Sequence, residues 1–230
     1  RTRLRDRAGP VAGRRSRLDL TAMLYRRRDA ADFAAHVFLD ERSARLKLLL
    51  PAGDRAEFDV PGAAIRRDPC GEVPGGRWVR VTGRAGVLGF ASDALYSFDA
   101  VRGVLRPTIA RATRYGSTAI HNARKMPWQH AVDAGELHFR FLISPGDERL
   151  PRLADELDEP PVCQIVPPKS GKLPRAGSLM ALSPSGVRVL AFKPAEDGSG
   201  FILRVQNRLD RAVTPRLNLL GRTVSLPRAE

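Results

Sequence analysis

Long apolar runs, cysteine and aromatic rings are all scarce in this 230-residue chain. No stretch approaches the roughly 20 apolar residues that span a bilayer as a helix, so no membrane partner is expected. The opening Arg1–Arg7, RTRLRDR, has neither the apolar segment nor the cleavage site of a secretory leader. The two cysteines, Cys70 and Cys163, are far apart and outside any CxxC spacing. That argues against a disulfide framework and more strongly against a zinc ribbon. Two separate thiols suit a reducing compartment, and with the missing leader they point to the bacterial cytoplasm. The first residue is not Met, so the chain reads as a piece of a longer protein or a processed product.

Acidic residues are also in deficit. There are 25 Asp and Glu against 39 Lys and Arg, a net charge of +14. Such a balance invites a nucleic-acid reading, but the distribution opposes it. The basic residues are almost all arginine, they spread along the whole chain, and they alternate with apolar residues. Arg1-Thr2-Arg3-Leu4-Arg5 and Arg77-Trp78-Val79-Arg80-Val81 show the pattern. Alternation places charge on the solvent face of a strand. Solvated strand faces are expected, with a basic face docked on an acidic partner domain as the other use.

What the chain does have is 43% hydrophobic residues, enough for a packed core, arranged with a period of two. Alternating stretches run over Ser16–Arg26, Asp32–Leu39, Ala44–Leu50, Ala56–Val60, Arg77–Val81, Gly86–Ala91, Ala94–Phe98, Gly103–Arg111 and Gly135–Ile143. Gly, Pro and Asp turns separate them, the signature of a β-sandwich. Tyr115–His130 breaks the pattern as a long irregular loop. Asp147–Leu157 is the one helix candidate, weakened by Pro151. A Pro-rich stretch, Val166–Pro174, then precedes a second group of strands between Ser178 and Leu226, in which Asp197-Gly198 suits a hairpin turn. The fold expected is all-β: a large antiparallel β-sandwich over 1–146, a linker with a possible short helix over 147–174, and a smaller β-sandwich over 175–230.

No self-contained catalytic site is legible. Gly171-Lys172-Leu173 fails as a phosphate loop, and there is no GxGxxG after a strand and no GxSxG elbow. The histidines His36, His121, His130 and His138 lack HxH, HExxH or HxxxH spacing, so no local metal site is expected. His121 and His130 share the irregular loop, where hydrogen bonding is the simpler role. Asp93 with Asp99, and Asp40 with Glu41, could in principle form the paired carboxylates of glycoside cleavage, but near-adjacent acids are more often turn formers. Trp78 alternates with arginines as a core residue does. Trp128 and Tyr115 flank the loop and are the candidates for stacking on a sugar ring.

Several segments in fixed order nevertheless resemble the C-terminal β region of glycoside hydrolase family 38, the retaining α-mannosidases. They are Phe58–Arg67 (FDVPGAAIRR), Gly76–Val81 (GRWVRV), Ser92–Arg114 (SDALYSFDAVRGVLRPTIARATR), Asp133–Phe139 (DAGELHF) and Leu182–Asn207 with its AFKPAEDG and ILRVQN runs. Ser97 and Ala110-Arg111-Ala112-Thr113 depart from the family's pattern. The resemblance implies a parent enzyme that hydrolyses α-mannosides with retention. Its zinc ion and Asp nucleophile would sit on an N-terminal catalytic domain, held by motifs this chain lacks. This chain would carry no catalytic residue and no cofactor. Its partners would be that N-terminal domain and an α-mannoside, with Arg111, Arg114, Tyr96 and Asp99 near the rim of the sugar cleft. An independent carbohydrate-binding module using Trp128 and Tyr115 is the alternative, and a basic nucleic-acid-binding protein the third.

Overall fold

In the computed structural model the described residues are 2–4, 16–41, 44–53, 55–84, 86–113, 133–168, 170–171 and 176–229. The chain divides into two compact units, Arg1–Val162 and Cys163–Glu230.

The first unit holds two antiparallel sheets. Its strands are β1 (Thr2–Leu4), β2 (Arg17–Leu24), β3 (Ala31–Leu39), β4 (Ala44–Lys47), β5 (Leu50–Pro51), β6 (Arg55–Val60), β7 (Ala63–Arg67), β8 (Cys70–Pro74), β9 (Trp78–Gly83), β10 (Gly86–Ser92), β11 (Ser97–Val101), β12 (Val104–Ala112) and β13 (Gly135–Ser144). One sheet runs β1-β2-β3-β13-β10-β9-β6-β7; the other runs β4-β12-β11-β8, with β5 also on β12.

Alternation explains how the two sheets share a core. On β9, Val79 and Val81 are fully buried with the main cluster, while Trp78 joins a second cluster. On β13, Phe139 and Phe141 enter the main core and Leu142 the second. Successive side chains leave a strand on opposite faces, so one strand serves both layers. The main core is aromatic at its centre. Phe58, Phe90 and Phe98 are all 0% exposed, and Phe90 meets Phe98 edge-on at a centroid distance of 6.1 Å and Phe141 at 5.7 Å. Burying each ring contributes about 1.5–3 kcal/mol.

The second cluster lies on the outer face of the larger sheet, under the helix α1 (Leu150–Asp158). Leu150, Ala154 and Leu157 are its buried residues, an i, i+4, i+7 stripe. They cover Trp78, Ala91 and Leu142. Pro151 sits in the first helical turn, where its missing N–H would have no partner in any case. Arg77 ties the helix to the sheet: its guanidinium donates to Asp155 at 2.7 Å and lies 3.8 Å from Asp59. The helix, expected within the stretch between the two domains, therefore packs on the first unit, and the division falls after Val162.

Strands β7 and β8 stand outside the alternating stretches read from the sequence. Both lie at the end of their sheet path, and both are mostly exposed. An edge strand with one bare face needs few apolar residues, and Gly71 and Pro74 weaken the signal of β8 further. The arginines alternate outward as expected and meet carboxylates there. Arg28, Arg45, Arg80, Arg106 and Arg140 all pair with an Asp or Glu at 3.2 Å or less.

The second unit contains β14 (Met180–Ser183), β15 (Val187–Pro194), β16 (Phe201–Asn207), β17 (Arg216–Leu219) and β18 (Arg222–Ser225). They form a three-stranded sheet, β14-β17-β18, and a β15–β16 hairpin. The hairpin closes through Gly198, at φ 72°, while Asp197 accepts hydrogen bonds from the Ser199 backbone N–H and hydroxyl. The whole chain is all-β with one short helix among its described residues, as the sequence pattern required.

Candidate functional site

The densest polar cluster of described residues stands on the outer face of the smaller sheet. Strand alternation builds it. On β11, Phe98 and Ala100 are buried while Ser97 and Asp99 face outward; on β12, Leu105 and Pro107 are buried while Arg106 and Thr108 face outward. Lys47 from β4 and Glu72 from β8 complete it. The Lys47 ammonium donates to Glu72 at 2.5 Å and also to Asp99. Glu72 further accepts from Arg45 at 2.7 Å, from Ser97 at 2.6 Å and from Thr108. Asp99 also accepts from Arg106 at 2.7 Å.

Partial burial alone would make Glu72 easier to protonate. The hydrogen bonds from Lys47, Ser97 and Thr108 and the charge of Lys47 outweigh it and hold the carboxyl at about 2. Asp99 is lowered in the same way, burial opposing and Lys47 and Arg106 prevailing. A general acid must still hold its proton near neutral pH, which takes a raised pKa, and a general base or nucleophile needs an accessible lone pair. Glu72 and Asp99 are deprotonated and their oxygens are taken up by neighbouring donors, so the cluster is an electrostatic clamp across β4, β8, β11 and β12.

The clamp has an acid signature. A carboxyl whose folded pKa is depressed binds a proton more readily once unfolded, so its stabilisation is complete above the unfolded value and is lost as pH falls. For Glu72 the window runs from about 4.5 down to about 2. Glu72→Gln is expected to flatten the decline of denaturant-measured stability across that window. An unchanged slope would show the hydrogen bonds to be absent in solution.

The other residues singled out in the sequence scatter. Arg111 is exposed on β12, opposite Arg45 in register, and its backbone N–H donates to Asp133 at 3.0 Å. Tyr96 is exposed, with its hydroxyl donating to the Asp93 carbonyl at 3.3 Å. Asp93 is held by the backbone and guanidinium of Arg140 at 2.8 and 2.9 Å, so Asp93 and Asp99 serve different cations. Glu41 accepts from Ser16, whose hydroxyl oxygen also accepts the Asp40 N–H. Arg114, Tyr115, Trp128, His121 and His130 lie outside the described residues.

One grouping was not legible in the sequence. His36 on β3 and His138 on β13 are direct register partners. Their rings stack with centroids 4.2 Å apart, and Glu136, two residues before His138, lies 3.8 Å from His36 Nε2. Alternation shows that Glu136 and His138 share a face. That His36 stands opposite depends on a pairing across about 100 residues of chain, which no local pattern encodes.

No sequence-family model and no curated protein sequence matches the chain. Solved structures do match. An α-mannosidase from Enterococcus faecalis V583 superposes with a TM-score of 0.76 at 14% identity, over 90% of this chain and 25% of its own. A glycosyl hydrolase family 38 protein from Enterococcus faecalis gives 0.75 at 14% identity, over 90% of this chain and 26% of its own. The chain shares its fold with part of an α-mannosidase. It spans about a quarter of the length of these two structures. The resemblance read from the ordered motifs and the resemblance in fold thus lead to the same family.

Proposed function

We propose that this chain is the non-catalytic β region of an α-mannosidase-like glycoside hydrolase. Nearly all of it superposes on only a quarter of an α-mannosidase, and that observation carries the reading. The carboxylates gathered on the smaller sheet support it, because they are saturated by cations and poorly suited to acid–base work. In this reading the parent hydrolyses α-mannosides with retention, which requires a nucleophile and an acid some 5–5.5 Å apart. Those groups and the zinc ion belong to an N-terminal catalytic domain. The β region packs against that domain, and Arg111, Arg114, Tyr96 and Asp99 are the residues this reading assigns to the rim of its sugar cleft.

The test is hydrolysis of an aryl α-mannoside, with added zinc, by this chain and by its full-length parent. Turnover by the parent alone is the expected outcome. Turnover by the isolated chain would overturn the proposal and direct mutagenesis to Asp93, Asp99, His121 and His130.

A further inference from the structure

We propose that His36, Glu136 and His138 form a binding site for a divalent transition metal of the zinc class, which staples β3 to β13 on the outer face of the larger sheet. Nothing in the α-mannosidase reading requires it. One ligand atom from each residue lies within 4.8 Å of the others. The donor set is two imidazoles and a carboxylate, a combination that suits zinc, copper, nickel or cobalt far better than calcium or magnesium. Coordinating atoms about 2.0–2.1 Å from a tetrahedral zinc ion stand ~3.3 Å from one another, so the three donors must draw together by about 1.5 Å at most. Glu136 and His138 are exposed and can swing inward; stacked rings bring their nitrogens into convergence when one of them tips.

Two further observations point to a ligand at this place. His36 Nε2 is buried and makes no hydrogen bond, one of only two such side-chain atoms among the described residues. Leaving a buried polar nitrogen unpartnered is costly, and a coordinate bond would satisfy it. The histidines also border a recess of about 470 Å³, floored by the small side chains of Thr21 and Ala34 and flanked by Arg17 and Asp19. Arg17 and Asp19 pair with each other at 2.9 Å, which offsets the charge of Arg17 at the recess. Asp19 stands opposite His36 in register on β2, so Asp19, His36 and His138 form one row across three strands. Three protein donors leave a coordination position for water or an anionic group in the recess, as in sites that bind exchangeable ligands.

The experiment uses the 230-residue chain, stripped with chelator and titrated with zinc chloride in a calorimeter, then with cobalt(II) followed by visible absorption. The expected result is one zinc per chain with micromolar or tighter affinity, weakened at least tenfold in His138→Ala and in His36→Ala. Cobalt should give a tetrahedral spectrum without a thiolate charge-transfer band. Zinc at about 100 times its dissociation constant should also raise the melting temperature by about 5 °C, and the rise should vanish in Glu136→Gln/His138→Ala, whose positions are exposed and whose fold should persist. No zinc uptake overturns the proposal. So does uptake that is equal in wild type and His138→Ala, or a thiolate band, either of which would place the metal on Cys70, Cys163 or another histidine.

Discussion

Phe90→Ala is expected to cost the first unit about 3–5 kcal/mol, among the largest effects of a single truncation in the sandwich. Phe90 is fully buried on β10 and touches Phe98 from the facing sheet and Phe141 from the neighbouring strand. Removing the ring deletes an aromatic contact between the two sheets and another between two strands of one sheet. The void cannot collapse easily, because Phe58, Val79 and Leu105 around the core are themselves fully buried. Domains carry only about 5–15 kcal/mol in total, so the variant should unfold at markedly lower urea concentration. Phe90→Leu keeps most of the volume and should cost only about 1 kcal/mol. Equal midpoints for the alanine variant and the wild type would mean that the two sheets do not close on this ring.

The second large effect is expected at Leu150→Ala, at about 2–4 kcal/mol. Leu150 is 0% exposed and is the first apolar residue of a helix only nine residues long. A helix of that length has little stability of its own and persists through packing. Loss of Leu150 leaves Ala154 and Leu157 to hold it, together with the Arg77 bridge to Asp155. That partly exposed pair is worth about 1 kcal/mol or less. Trp78 lies beneath the helix and reports on it directly. In a Trp128→Phe background the emission of Trp78 should shift to the red as water reaches the ring, before the global transition. Emission that changes only with global unfolding would show that the helix is not separately displaced.

The strands at the centre of each sheet were legible because burial on one face imposes a period of two that nothing local disturbs. GELHFRFLI at Gly135–Ile143 announced β13 almost to the residue, and DFAAHVFL announced β3. The edges were less legible. AAIRR and CGEVP bury little and so carry little pattern, yet the second of them presents Glu72, the hub of the clamp on the smaller sheet. The helix was obscured by Pro151, which reads as a breaker in the middle of a run and as an ordinary first-turn residue once the start is known. The ordered motifs pointed to the fold that the matching structures share with this chain at only 14% identity. The pairing of His36 with His138 was beyond any such reading, since it depends on which strands lie side by side.

The larger sheet ends at β7, a strand whose first four residues are exposed and whose outer backbone edge has no neighbour among the described residues. A bare edge is an invitation to a second copy, which could add its own strand and continue the sheet without limit. Here the strand closes on Arg66 and Arg67, the first 84% exposed along its side chain and the second bent over the Phe58 ring. Arg66 lies 3.6 Å from Glu57 and Arg67 donates to the Pro74 carbonyl at 2.6 Å, so both guanidinium groups are turned toward the protein's own strands. The surplus of arginine that looks, on composition alone, like an appetite for nucleic acid is thus turned at this border toward the protein's own Glu57, Phe58 and Pro74.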